Sequence, residues 1–224
     1  HKGWKLSSIW EIEPLSKDAA QGLIALRKRQ AEAAARAAEE KRKALLEALP
    51  NLGVEELVFA LRPPGRDGHW YANFGYWAAN ENQMMYGPDG GRLCRLNLRS
   101  GEVQALLDDP GGGVRDPQVH YDGEKVLFSY RPGDSKYYNL YEMDLSSPRE
   151  LKRITKAPYD DIEPTYTPEG KIVFVSTRCK RWVPCYYTEV AILYTCNADG
   201  TGLRPLSANV EHENTPWPLP DGRI

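Results

Sequence analysis

Beyond Gly53 the chain is built from short runs in which apolar and polar positions alternate, the period of a half-buried strand. Three of these runs open matching units: LCRLNL at 93–98, LYEMDL at 140–145 and LYTCNA at 193–198. The units continue with EVQALL, ELKRIT and GLRPLS, and then with RDPQVHYDGEKVLFSYR, IEPTYTPEGKIVFVSTR and ENTPWPLPDGRI. Pro117, Pro164 and Pro216 lie 47 and 52 residues apart, and Gly123, Gly170 and Gly222 repeat the same spacings. Two independent anchors with one spacing define a tandem repeat. Each unit holds four strand-length runs, with an Asp-Gly or Glu-Gly pair closing the third onto the fourth as a tight hairpin. That is the content of one propeller blade. In the first run of each unit, one face carries Cys94, Leu96 and Leu98, then Tyr141, Met143 and Leu145, then Tyr194, Cys196 and Ala198. This face packs between blades and makes Cys94 and Cys196 buried thiols rather than ligands.

Upstream, LVFALR at 57–62 matches VLFSYR, but Phe59 and Phe128 are 69 residues apart where Phe128 and Phe174 are 46. The surplus is an aromatic insert, GRDGHWYANFGYW, at 65–77. Before Gly53 the pattern is different in kind. From Lys17 to Leu49 the chain is rich in Ala, Lys, Arg, Glu and Leu, with Ser16 placed as N-cap and Pro50 to Gly53 as a stop. The middle of this stretch offers only alanine as an apolar residue, which suits a solvated helical arm better than a coiled-coil partner, though both readings stand. The expected fold is therefore all-β: a partial β-propeller of about three four-stranded blades plus a leading strand, behind a long N-terminal α-helix. The helical arm is assigned to residues 1–52 and the propeller to 53–224, with blades at about 57–131, 132–178 and 179–224. The chain opens at His1 without a signal segment, and its last unit stops at Ile224 where its sisters continue, so it reads as a fragment.

Composition narrows the function classes. Lys plus Arg is 29 and Asp plus Glu is 31 in 224 residues, so nothing electrostatic calls for nucleic acid or an anionic membrane as partner. No apolar run approaches the roughly 20 residues of a membrane span. Neither a G-x-S-x-G elbow nor a phosphate-binding G-x-x-x-x-G-K-[ST] is present.

The runs GHWYANFGYW, VRDPQVHYDGEKVLFSYR and STRCKRWVPCYYTEVAILYTCNADGTGLRPLS resemble the propeller domain of hydrazine synthase alpha subunit-like proteins, exported proteins of planctomycetes and related bacteria. The blade phrase DGTGLRPLS followed by TPWPLPDGRI resembles the TolB-type repeat. The resemblance covers residues 55–224. It implies a periplasmic or extracellular location, and in hydrazine synthase itself it implies a c-type haem enzyme joining nitrogen compounds. Haem attachment there needs CxxCH. This chain has none, so no cofactor is expected in the fragment and haem c is left to the full-length protein.

Antiparallel connectivity sends the long loops of every unit to one face, where binding residues gather on a rigid scaffold. The candidates there are His69, Trp70, Tyr71, Asp116, Asp160, Asp161, Glu163, Cys179, Trp182, Cys185, Glu211 and His212. The acidic residues serve either as turn caps or as ligands for a hard cation. Cys179 and Cys185 form either a small-loop disulfide or, with a histidine, part of a zinc site. No catalytic residue and no metal ligand is assigned. Two functions remain: a propeller scaffold that binds a protein or polysaccharide partner and neighbouring domains of its own polypeptide, or a domain of a haem- or metal-dependent oxidoreductase.

Overall fold

The computed structural model describes residues 16–63, 90–147, 150–184 and 188–224. The chain divides into two compact units, one ending at Glu55 and one running from Glu56 to Ile224.

Among the described residues, the first unit contains one long helix, α1, Lys17–Asn51. Its composition favours helix throughout, and its first turn is capped as the sequence predicts: the Ser16 hydroxyl accepts from the Ala19 amide at 3.2 Å. Pro50 is accommodated in the last turn, so the helix runs two residues past Leu49 before Gly53 turns left-handed at φ 78°. None of its side chains is buried.

The described residues of the second unit form three antiparallel sheets. The first pairs β1 (Glu56–Leu61), β2 (Arg92–Asn97) and β3 (Val103–Asp108) in sequence order. The second is β4 (Gly113–Val119), β5 (Lys125–Arg131), β6 (Asn139–Asp144) and β7 (Leu151–Arg153). The third is β8 (Asp161–Tyr166), β9 (Lys171–Ser176), β10 (Ile192–Asn197) and β11 (Arg204–Pro205). Each sheet is a meander, the connectivity of a propeller blade.

The repeat is as expected, but its phase is not. Of the expected blade limits 57–131, 132–178 and 179–224, the boundary at 131/132 falls inside the second sheet and that at 178/179 inside the third. The run LCRLNL pairs with LVFALR as the middle strand of the first sheet, and RDPQV lies in the strand that opens the next. In each four-stranded sheet the Pro-containing strand is first and the VLFSYR-type strand second. A tandem repeat is cyclic and can be cut anywhere; hydrogen bonding alone decides which four runs share a sheet.

The core lies between consecutive sheets. Leu93, Val114, Val126, Phe128 and Met143 form one cluster, with Val58 and Ala60 packed against it. Leu127, Leu140, Ile172, Phe174, Ile192 and Cys196 belong to a second. Equivalent positions do equivalent work. Phe128 stacks on its cross-strand partner Tyr141, and Phe174 stacks on Tyr194. Cys94 and Cys196 are buried as expected, and burial pushes the Cys196 thiol up to about 12, so it stays protonated.

Candidate functional site

Loops 109–112, 132–138, 154–160 and 177–191 emerge from the same ends of their sheets and bond to one another. Asp109 anchors the first. Its carboxylate accepts from the Tyr130 hydroxyl at 2.6 Å, the Gly133 amide at 2.9 Å and the Gly111 amide at 3.1 Å. These donors hold its pKa below the ordinary aspartate value. The triple glycine beside it is needed for space and not only for turn flexibility. A Cβ on Gly112 would collide with the Asp109 carboxylate, and one on Gly113 with the Tyr138 hydroxyl.

Asp160 and Asp161 are not surface loop acids. Asp160 is 2% exposed and accepts from the Tyr138 amide at 2.9 Å, while its own amide donates to Thr177 Oγ1 at 3.1 Å. Asp161 is 0% exposed and forms a two-point ion pair with Arg178, Nη2 to Oδ2 at 2.7 Å and Nε to Oδ1 at 3.2 Å. The Ser176 hydroxyl adds a third bond at 2.6 Å. Burial pushes the Asp161 carboxyl up, and Arg178 and Ser176 oppose that shift. Both aspartates lie at the join of two sheets because the loop entering β8 dives inward there.

Asp116 and Glu163 meet in a second cluster. Each sits at a β-bulge in the first strand of its sheet, immediately before proline, in the left-handed region at φ 56° and 52°. Thr215 takes the same conformation before Pro216, at φ 45°. Between the two carboxylates lies Arg115, only 3% exposed, with Nε on Asp116 Oδ2 at 2.6 Å and Nη2 on Glu163 Oε1 at 3.2 Å. Asp116 Oδ2 also accepts from the Glu163 amide at 3.2 Å, and Glu163 Oε2 accepts from the Thr215 amide. Burial raises the Glu163 pKa, offset by the Thr215 amide and Arg115.

His212 and Glu213 fasten the last loop. His212 Nδ1 accepts from the Ala191 amide at 3.1 Å, and burial lowers its pKa to about 4, so the imidazole is neutral at pH 7. Glu213 Oε2 accepts from the Leu193 amide at 2.7 Å, whereas Glu211 is exposed. The Cys179 Sγ donates to the Val190 carbonyl at 3.2 Å. Arg178 and Lys180 each approach the Tyr159 ring, at 5.2 and 5.3 Å. Trp182 is 43% exposed and bridges to Glu189. His69, Trp70, Tyr71 and Cys185 lie outside the described residues, and with them the Cys179–Cys185 pairing and the zinc alternative.

The structure therefore joins Asp116 to Glu163, and ties Asp160, Asp161 and His212 each to a neighbouring loop or strand. It does not gather these candidates into one centre. Sequence reasoning missed Ser176, Arg178 and Thr215 as their partners. Thr215 was within reach, since it precedes Pro216 as Asp116 and Glu163 precede their prolines.

The described residues do not fit a c-type haem. Cys94 and Cys196 are sealed in the core, the Cys179 thiol is turned to a backbone carbonyl, and His212 already uses Nδ1 as an acceptor.

No protein-family model and no curated protein matches the chain. Solved structures do. Hydrazine synthase of Kuenenia stuttgartiensis superposes with a TM-score of 0.57 at 18% identity, over 75% of this chain and 27% of that one. A TolB of Agrobacterium tumefaciens gives 0.43 at 20% identity, over 52% of this chain and 41% of its own. The propeller domain of the Trilobed protease from Pyrococcus furiosus gives 0.39 at 18% identity, over 69% and 35%. At such identities the likeness is one of fold, and the chain spans about a quarter of the hydrazine synthase chain. It carries β-propeller blades similar in fold to part of hydrazine synthase.

Proposed function

We propose that this chain is a propeller scaffold that binds a protein or polysaccharide partner through its long-loop face. The observation that carries the reading is a division of labour on that face. The carboxylates of Asp109, Asp160, Asp161 and Glu163 are engaged by internal donors, while the Trp182 ring stands 43% exposed on the 177–191 loop. Carboxylates spent on internal bonds hold the face rigid. An exposed indole supplies a large apolar contact area, and such residues dominate binding energy at interfaces. By its resemblance to exported proteins the domain belongs in the periplasm or outside the cell, beside other domains of one polypeptide. No helix among the described residues is long and apolar enough to cross a membrane.

The test is a surface-plasmon-resonance screen of the full chain against soluble cell-envelope polysaccharides and extracytoplasmic proteins, repeated with Trp182→Ala. Binding of at least one probe that weakens tenfold or more in the variant, with unchanged thermal unfolding, supports the reading; a tenfold loss is about 1.4 kcal/mol. Binding that is indifferent to Trp182 overturns it.

A further inference from the structure

The 177–191 loop is anchored at its base. Val183 and Val190 are buried, and two backbone bonds close a short antiparallel ladder there. The Val190 amide donates to the Arg181 carbonyl at 2.6 Å, and the Val183 amide to the Thr188 carbonyl at 2.9 Å. Arg181 Nη2 adds a tie to the neighbouring loop through the Asn209 carbonyl at 2.7 Å. On either side of Arg181, Lys180 and Trp182 are exposed.

Lys180 is held in an unusual way. It caps the short helical turn Thr177–Cys179 in the left-handed region, at φ 51° and ψ 41°. Glycine or asparagine takes that conformation at least cost, and strain of this kind marks positions where the side chain is used. The Lys180 ammonium lies 5.3 Å over the Tyr159 ring. Arg178 approaches the same ring but spends its charge on Asp161. Lys180 has no such partner among the described residues. Glu189, in its neighbourhood, is half-buried and already engaged by the Thr177 side chain.

The two adjoining loops add to this charge. Lys136 on 132–138 and Lys156 on 154–160 are exposed, and among the described residues neither has an ion-pair partner. Across loops 132–138, 154–160 and 177–184, these three lysines meet one exposed acid, Asp134, because Asp160 is buried. The patch is positive on a chain whose net charge is −2.

We propose that Lys180 and Trp182 are the recognition element for a carboxylated polysaccharide, a polyuronate. The inference rests on the partner-binding role proposed for this face and names the partner's chemical class. An indole offers a flat apolar surface that matches the ring face of a pyranose. Lysines on three loops match carboxylates that recur along a polyuronate chain. Each exposed ion pair is weak in water, so affinity needs several at once, which a repeating polyanion supplies and a small acid does not. An acidic peptide would satisfy the lysines but brings no sugar ring to the indole.

The experiment is biolayer interferometry of the full chain against immobilised polygalacturonate, its fully methyl-esterified form and polyglutamate. Binding to polygalacturonate at least tenfold tighter than to the other two is expected. Lys180→Ala is expected to weaken it by about fivefold or more, and Lys180→Arg to retain it. Lys171→Ala, at the opposite end of the third sheet, is expected to change nothing. Lys180→Gly is expected to weaken binding as Lys180→Ala does while keeping or raising Tm, because glycine has no Cβ to strain in the left-handed region. Equal binding to the methyl ester, a preference for polyglutamate, or a lowered Tm in Lys180→Gly with binding intact overturns the proposal. Trp182-dependent binding of a protein or a neutral polysaccharide, with none of polygalacturonate, overturns it while the binding role of the face stands.

Discussion

The amide of Glu163 donates to Asp116 Oδ2 at 3.2 Å across the join between two sheets, bonding two residues that hold the same place in successive repeats. The Thr215 amide repeats the bond on Glu163. Glu163 and Thr215 thus each offer an amide to the acidic side chain at the equivalent place in the preceding repeat, and Arg115 neutralises the Asp116–Glu163 pair from within.

Glu163→Ala is expected to be strongly destabilising. It strips buried Arg115 of one carboxylate and leaves the Thr215 amide without its side-chain acceptor. Breaking a buried pair from one side costs about 3 kcal/mol or more. Asp116→Ala with Glu163→Ala is expected to cost less than the sum of the singles, because they share Arg115. Urea unfolding of the double-mutant cycle measures the coupling.

Gly200 and Gly170 both have positive φ, 85° and 78°. A Cβ at Gly170 meets nothing within 4 Å, whereas one at Gly200 would run into the Ile154 carbonyl. Gly170→Ala is expected to cost about 1 kcal/mol for conformation alone. Gly200→Ala is expected to cost at least twice that, because the conflict is with backbone. Thermal unfolding of the two variants compares them directly.

Acid is expected to destabilise the blades through His212. Its native pKa is about 4, below the ordinary 6.5, so between these values the unfolded chain binds a proton that the native one refuses. Stability from this group is complete above about pH 6.5 and falls as pH drops toward 4. Asp161 and Glu163, whose pKa values burial raises, act in the opposite sense, because protonation relieves the cost of their burial. Comparing Tm from pH 7 to pH 4.5 in wild type and His212→Gln isolates the histidine. The variant is expected to lose less.

Removing residues 17–50 is expected to abolish most of the helical signal at 222 nm and leave the near-ultraviolet bands of the core tyrosines, since no helix side chain is buried. Ser16→Ala is expected to fray the first turn, at a cost of about 1 kcal/mol. Hydrogen exchange at Ala19 reports it, because that amide loses its acceptor.

The sequence by itself determined the helix, its Ser16 cap, the repeat and the burial of Cys94 and Cys196, because these follow from local propensity and from a strand period of two. Tertiary structure decided the rest. The grouping of runs into sheets depends on inter-strand hydrogen bonds, to which a cyclic repeat is indifferent. The aspartates of Ala157-Pro158-Tyr159-Asp160-Asp161 read as turn acids because their neighbours are turn formers. They are buried because Arg178, Ser176 and the Tyr138 amide, 17, 15 and 22 residues from their partners, are brought beside them by packing. A carboxylate's role is set by the donors around it, and donors from other strands leave no local mark on the sequence.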